Sequence, residues 1–434
     1  MKSSFWRGSL KLFSSAILDQ MVLSGANFVI GIMLIRYATD HDYALYVLVQ
    51  SAVLLTISLH NSWLTGPLAI LTPRLGPDER WRTLGSVKLI QRRVLRWIAL
   101  PLFIVPLLGY FTGMLNGTLA AVVAIGILAG WVSLRREYLR SVLLMYSRTH
   151  SLLGADAVYA GSLLLGVLAS LLLIKPVVIG AASAIVLASL AGAAMGHRSL
   201  AVAPGWKEPG AVTIWPGIRS LGFWSLIGAS TYWFLGQSFN YVLASRVDLK
   251  AVADINAARL LLMPVILLTA GVSSLLTPSA ATWYTEIGLH KLVRRLWRFL
   301  LLVGFLEATY FICVWSSRDW LFVDILHKTI QDRERLLMLW AGVAFVALFR
   351  DIFQCALMAT GQFKSLAWQV GIGTAVAMPI MWFGIAWWGV AATLIGQIVG
   401  ELINLAGIVL ALRKTMRQAD HAEARATGQS TTTA

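Results

Sequence analysis

What most limits how this chain can fold is a series of apolar segments that recurs along it. About twelve stretches of roughly 18–25 mainly apolar residues are present, each able to cross a hydrocarbon core about 30 Å thick at about 1.5 Å rise per residue. They fall at residues 14–35, 43–66, 94–112, 117–134, 152–174, 177–196, 218–244, 258–280, 297–316, 336–360, 366–386 and 388–411. The segments are continuously apolar, without the period-2 alternation of barrel strands, so they predict helices. Composition closes off a soluble alternative. With 58% hydrophobic and 13% charged residues, the chain lacks the polar surface that a water-soluble domain needs. The expected fold class is all-α: a polytopic transmembrane helical bundle. Its connections are too short to hold a folded soluble domain. The first apolar run follows Lys2, Arg7 and Lys11 and is long for a signal segment, so it is read as a span.

The net charge of +16 would suit nucleic acid if the basic residues formed one patch. Instead they lie in alternate connections. One side collects 26 Lys and Arg, from the N-terminal segment, 74–96, 135–148, 198–219, 291–298, Lys364 and the C-terminal segment. The other side holds 8, at Arg36, Lys175, Arg246, Lys250, Arg318, Lys328, Arg333 and Arg335. This bias makes the basic side cytoplasmic, and an even number of spans places both termini there. No nucleic-acid partner is expected. Arg74–Arg96, with Trp81 and Trp97, reads as an amphipathic cytoplasmic helix on anionic lipid, or as a face that gathers an anionic lipid-linked substrate.

The segment 201–217 contains Pro204, Gly205, Pro209, Gly210, Pro216 and Gly217. It is expected to be a cytoplasmic linker between an N-terminal six-helix lobe, 1–200, and a C-terminal one, 218–412. Residues 413–434 are polar and expected to be a disordered cytoplasmic tail. The two halves echo each other. Asn27, then Arg36 in a short turn with Asp40 and Asp42, parallels Gln237 and Asn240, then Arg246 with Asp248 and Asp254. Transporters are often built from such repeats.

A charge at the bilayer centre costs about 2.5–3.5 kcal/mol even on lenient scales, so it normally faces a cavity or a partner. Arg259 and Arg350 are the candidate cations for an anionic head group such as a pyrophosphate, because a guanidinium fork matches phosphate oxygens. Gln20, Asn27 and Asn240 are candidates to line the same cavity. Glu307, Asp351, Glu401 and Asp156 are candidate coupling-ion sites, for a proton or sodium. The competing reading is interhelical ion pairing with no substrate contact. Arg350 and Asp351 are adjacent and cannot share one helix face, so one of them is expected to turn toward Glu307 or Glu401.

The sequence has no GxxxxGK[ST] phosphate loop, HExxH, CxxC or GxSxG. The seven histidines show no ligand spacing, and Cys313 and Cys355 both fall in apolar spans. No metal, cofactor or catalytic residue is expected.

Leu18-Asp19-Gln20, Ser24-Gly25-Ala26-Asn27-Phe28, and Arg36 before Tyr43-Ala44-Leu45-Tyr46 resemble the first two spans of bacterial polysaccharide-export flippases. These are the O-antigen and exopolysaccharide repeat-unit translocases of the multidrug/oligosaccharidyl-lipid/polysaccharide exporter superfamily. Arg136-Glu137-Tyr138-Leu139-Arg140 followed by Asp156 resembles the family's connection between spans four and five. Ala257-Ala258-Arg259 through Pro278-Ser279-Ala280 resembles span eight, and Arg350 through Gly361-Gln362 resembles span ten. The resemblance implies two six-helix lobes around a cationic cavity that moves an undecaprenyl-diphosphate-linked oligosaccharide outward across the inner membrane. It favours Arg259 and Arg350 as cavity cations and implies membrane lipids as partners. A polymerase and chain-length components of a polysaccharide assembly system would work alongside. The alternatives are a small-molecule exporter of the same superfamily, whose cavity would be acidic, and a polyprenol-dependent glycosyltransferase or polymerase. The last would need a larger external loop than 317–335.

Overall fold

A computed structural model describes residues 2–146, 148–203, 205–208, 210, 212–330 and 332–430. Side chains are described for these apart from 2–18, Gln20, Trp224, Ser274, Pro278, Phe363 and 419–430. The described residues are helical and form no strand. In chain order the helices are α1 (Lys2–Tyr37), α2 (Asp40–His60), α3 (Gly66–Leu71), α4 (Pro77–Leu102), α5 (Ile104–Phe111), α6 (Gly117–Met145), α7 (Thr149–Leu173) and α8 (Val177–Leu200). They are followed by α9 (Trp215–Arg246), α10 (Leu249–Ser316), α11 (Arg318–Trp320), α12 (Arg333–Ala359), α13 (Phe363–Phe383), α14 (Ile385–Trp388) and α15 (Ala391–Ser430). Among the described residues, ten helices are long and apolar enough to cross a membrane. The apolar stretch Met21–Tyr37 of α1 is shorter, and α9 runs for 32 residues. This is a polytopic membrane bundle of about twelve spans.

Two compact units divide the chain. The first comprises Met1–Trp233 with Val252–Asp254 and Leu326–Lys328; the second comprises the remainder from Phe234.

In the first unit α8 packs against both α6 and α7, and α7 packs against α1. Sequence explains why α8 is the inner helix. Its stretch Gly180-Ala181-Ala182-Ser183-Ala184, with Ala188, Ser189, Gly192 and Gly196, lets neighbouring backbones approach, which is how helices associate in lipid. In its apolar window 61% of residues are buried, against 11% for Pro77–Phe111, whose leucines and aromatics are largely exposed. A π-helical turn, Asn61–Thr65, joins α2 to α3 without breaking the span. Trp206 and Ile218 are buried with Leu68, Leu84 and Leu143. Of the segment expected to link two lobes, Ala203 and Trp206 are buried in this core.

In the second unit α15 packs against α12 and α13, the same use of a sixth helix as in the first. Glycines set this approach: a Cβ on Gly373 would lie 2.5 Å from the carbonyl oxygen of Gly400. Each unit's first pair of helices is also joined alike. Arg36 and Arg246 end α1 and α9, and Thr39 and Asp248 cap the next helix by accepting from the Asp42 and Ala251 amides.

Four sequence expectations need correction. Residues 74–96 are not a separate surface helix, because Pro77 at the first turn starts α4, which runs on through the apolar run to Leu102. Residues 135–148 are not a loop: α6 continues to Met145, and only the short turn before Thr149 is non-helical among its described residues. The connection between the expected spans 258–280 and 297–316 is helical, interrupted at Gly288, which takes φ 77°. The tail expected to be disordered from Arg413 continues α15 to Ser430, with the good helix formers Ala and Arg its commonest residues. Residues 431–434 lie outside the described residues.

Candidate functional site

Two buried ion clusters stand out, one in each unit.

In the first unit the Arg140 guanidinium bridges two helices. Its Nη2 donates to Asp19 Oδ2 on α1 at 2.7 Å, and its Nε donates to Asp156 Oδ2 on α7 at 2.7 Å. Arg136, one turn earlier on α6, donates from Nη2 to the other Asp156 oxygen at 2.5 Å. Its guanidinium lies 3.6 Å from the ring centroid of Tyr159. The spacing is that of a helix face: residues four apart in the sequence meet the same neighbour. Glu137 lies 3.7 Å from Arg140 and accepts from Asn61 Nδ2 at 3.2 Å. Asn61 opens the π-turn, and its Oδ1 accepts from the Thr65 hydroxyl at 3.0 Å. The π-turn thus brings an amide to the cluster. Asp19 and Asp156 are 2% and 1% exposed. With every group ionised, two arginines face three carboxylates.

In the second unit Arg350 is 2% exposed and occupied on both edges. Nη1 donates to Glu401 Oε1 on α15 at 2.5 Å, while Nε and Nη2 donate to Asp351 Oδ1 at 3.0 and 2.8 Å. Arg350, expected as a cavity cation, is thus ion-paired with Glu401 across helices and with Asp351 on its own helix. The adjacency argument also fails in detail, because the long guanidinium stem curls back to the neighbouring carboxylate as well as crossing to Glu401. Glu307, on the second arm of α10, is buried and accepts a hydrogen bond from the Thr269 hydroxyl. Asp351 is close enough to act on it electrostatically.

Arg259 sits in a different setting. It is half-buried on α10, with Nη1 donating to Gln237 Oε1 at 3.4 Å. The guanidinium lies 5.3 Å from the Trp340 ring centroid and 5.8 Å from that of Phe239. Trp340 is fixed by its indole N–H, which donates to the Ile255 carbonyl at 3.0 Å. Asn256 Nδ2 donates to Asn240 Oδ1 at 2.7 Å, and Asn240 Nδ2 donates to Gln237 Oε1 at 3.4 Å. Arg259 and Asn240 therefore do come together, through Gln237. Asn240 is 0% exposed and holds helix to helix. Asn27 is half-buried in the first unit. The Gln20 side chain lies outside the described residues.

Sequence reasoning missed Arg136, Glu137 and Arg140 as buried groups and left Asp19, though inside the first span, out of the coupling-ion candidates. The signal was present in Arg136-Glu137-Tyr138-Leu139-Arg140, where a helical reading puts both arginines on one face.

No family model matches the sequence, and no curated protein matches it. Solved structures do match the fold. An inward-facing multidrug-resistance MATE family transporter of the MOP superfamily is 12% identical, with TM-score 0.74, covering 91% of this chain and 96% of that one. The lipid II flippase MurJ in an inward closed conformation is 11% identical, with TM-score 0.71, covering 93% and 87%. A mutant of the Vibrio cholerae MATE transporter VcmN is 15% identical, with TM-score 0.67, covering 96% and 98%. This chain therefore has the all-helical fold found in MATE transporters and in the MurJ flippase.

Proposed function

We propose that this protein is a flippase. It moves undecaprenyl-diphosphate-linked oligosaccharide repeat units across the bacterial inner membrane by alternating access, for cell-surface polysaccharide synthesis. The observation that carries this reading is the Arg259 setting. A half-buried guanidinium lies against two aromatic rings beside an amide ladder of Gln237, Asn240 and Asn256. A guanidinium serves a pyrophosphate and aromatic faces serve sugars. The likeness in fold to MurJ, a lipid II flippase, supports the same class of cargo. Both termini are cytoplasmic on the charge bias, and a polymerase and chain-length components act on the product.

The ion clusters supply the coupling. In the first unit Arg136 and Arg140 face Asp19, Glu137 and Asp156, leaving one negative charge in excess. In the second unit Arg350 faces Asp351 and Glu401, again leaving one in excess. A proton or sodium ion neutralises each. The same excess of buried acids favours a second reading, an exporter of cationic small molecules, which the likeness to MATE transporters also supports.

The test is a gene deletion followed by extraction and sizing of lipid-linked sugars. The flippase reading expects complete repeat units to accumulate while surface polymer is lost. A truncated unit would point to a missing transferase step. An unchanged lipid pool with increased drug sensitivity would establish the exporter instead. Arg259→Ala should reproduce the deletion at normal membrane abundance, and Arg259→Lys should restore only part of the polymer, because an ammonium lacks the planar fork.

A further inference from the structure

Away from the ion clusters, the first unit contains a cavity of about 330 Å³ bounded by α4, α6 and α8. Its cationic lining is Lys88 and Arg92 of α4 and Arg135 of α6, with the His197 imidazole of α8 beside them, and no carboxylate lines it. These groups feel one another: Arg92 acts electrostatically on Lys88 and Arg135, and both of those, with Lys207, act on His197. None of the four is in an ion pair among the described residues. Lys88 Nζ sits 4.5 Å from the Trp206 ring centroid, and Trp206 is itself buried. Like charges gathered around an empty space repel, and an anion placed there removes the repulsion.

The remaining polar groups are already engaged. Tyr138 donates its hydroxyl to the Leu84 carbonyl at 2.7 Å, and the Gln91 amide donates to the Leu134 carbonyl at 3.0 Å. The cavity therefore offers cations for phosphate and few groups for sugar hydroxyls. Leu89 and Leu190 on its lining are 45% and 44% exposed. The cavity lies toward the end of the unit where the turns after α3, α6 and α8 gather, as the contacts of Trp81 with Tyr146 and Trp206 show.

We infer that this cavity is a binding site for the phosphate headgroup of an anionic phospholipid of the cytoplasmic leaflet, with an acyl chain lying along Leu89 and Leu190. Basic pockets between spanning helices on that side suit such headgroups. The site does not depend on which cargo the protein carries.

The experiment is native mass spectrometry of the full chain in a detergent with an uncharged headgroup, titrated with phosphatidylglycerol and with phosphatidylcholine. The wild type should retain one phosphatidylglycerol in clear preference to phosphatidylcholine. Lys88→Gln/Arg135→Gln should weaken phosphatidylglycerol binding by roughly fivefold per charge, about 25-fold in all. Arg93→Gln/Arg96→Gln removes the same charge from α4 outside the cavity and should change binding less than about twofold. Lys88→Gln/Arg92→Gln, which moves the second change from half-buried Arg135 to exposed Arg92, repeats the measurement if the first variant loses its thermal transition. Equal weakening by the cavity and control variants would overturn the site in favour of diffuse surface attraction. Displacement of the lipid by millimolar inorganic pyrophosphate would overturn it in favour of a soluble anion. A cavity variant that loses polyprenyl diphosphate but keeps phosphatidylglycerol would reassign the site to a lipid carrier and overturn the phospholipid assignment.

Discussion

Replacing Arg350 by methionine leaves Glu401 as an unpaired carboxylate that is 4% exposed, on a face where Leu348, Ile352 and Ile408 are fully buried. Breaking a buried pair by removing one partner costs about 3–5 kcal/mol, most of it the penalty of the stranded charge. Glu401→Gln strands Arg350 less severely, because Asp351 still accepts from Nε and Nη2 at 3.0 and 2.8 Å. Its cost should be about 1–3 kcal/mol. The double variant Arg350→Met/Glu401→Gln buries no net charge at this contact. It should be less damaged than the sum of the two, with an interaction energy of about 2–3 kcal/mol. Asp351→Asn is the internal control: its carboxylate is 25% exposed, so its loss should cost about 1 kcal/mol or less. The assay is reversible unfolding of all four variants in mixed micelles, with the cycle closed at one detergent composition. Additivity of the two single variants within about 0.5 kcal/mol would refute a direct Arg350–Glu401 contact. Reduced membrane abundance of Arg350→Met in cells would follow from the same number, so an export defect in that variant alone does not make Arg350 a cargo ligand.

Two further outcomes follow. Asp156→Asn removes the carboxylate that accepts from both Arg136 and Arg140 at 2.5 and 2.7 Å; it should cost about 3 kcal/mol or more and exceed Glu137→Gln in the same unfolding assay. Gly373→Ala places a methyl group 2.5 Å from the Gly400 carbonyl oxygen, so α13 and α15 must separate; a loss of about 1–3 kcal/mol is expected, whereas Gly371→Ala, with open space at its Cβ, should be nearly neutral.

The spans were legible in the sequence because hydrophobic length is the constraint that lipid imposes most strictly. Val177 through Leu200 begins where the apolar run begins, and α12 matches its expected span within a few residues. Where expectation and structure part, a charge was read as the end of a span. Arg135, Arg136, Glu137 and Arg140 read as a cytoplasmic loop, yet α6 carries them on in helix because Asp19 and Asp156 neutralise two of them. Those acids lie 121 and 20 or fewer residues away along the chain, so one sequence gives no sign that they meet. The same holds for Arg350. Its position inside a span announced a partner or a cavity, and only packing of α12 on α15 brings up Glu401 and decides for the partner.

That difference separates the two intramembrane arginines the sequence put forward together. Arg350 is enclosed by two carboxylates and Arg259 by an amide and aromatic faces. A guanidinium already neutralised by carboxylates gains little from a phosphate, because binding would first have to displace an ion pair. Arg259 is held by the Gln237 amide and by ring faces, so its orientation is set in advance, which lowers the entropy lost on binding. Placing the cargo's anion at Arg259 and the travelling cation at the acidic clusters gives the two charges separate sites. Coupling then requires only that both sites bias one conformational equilibrium. On that logic, neutralising Asp156 should shift the cation dependence of transport, and neutralising Arg259 should abolish cargo recognition.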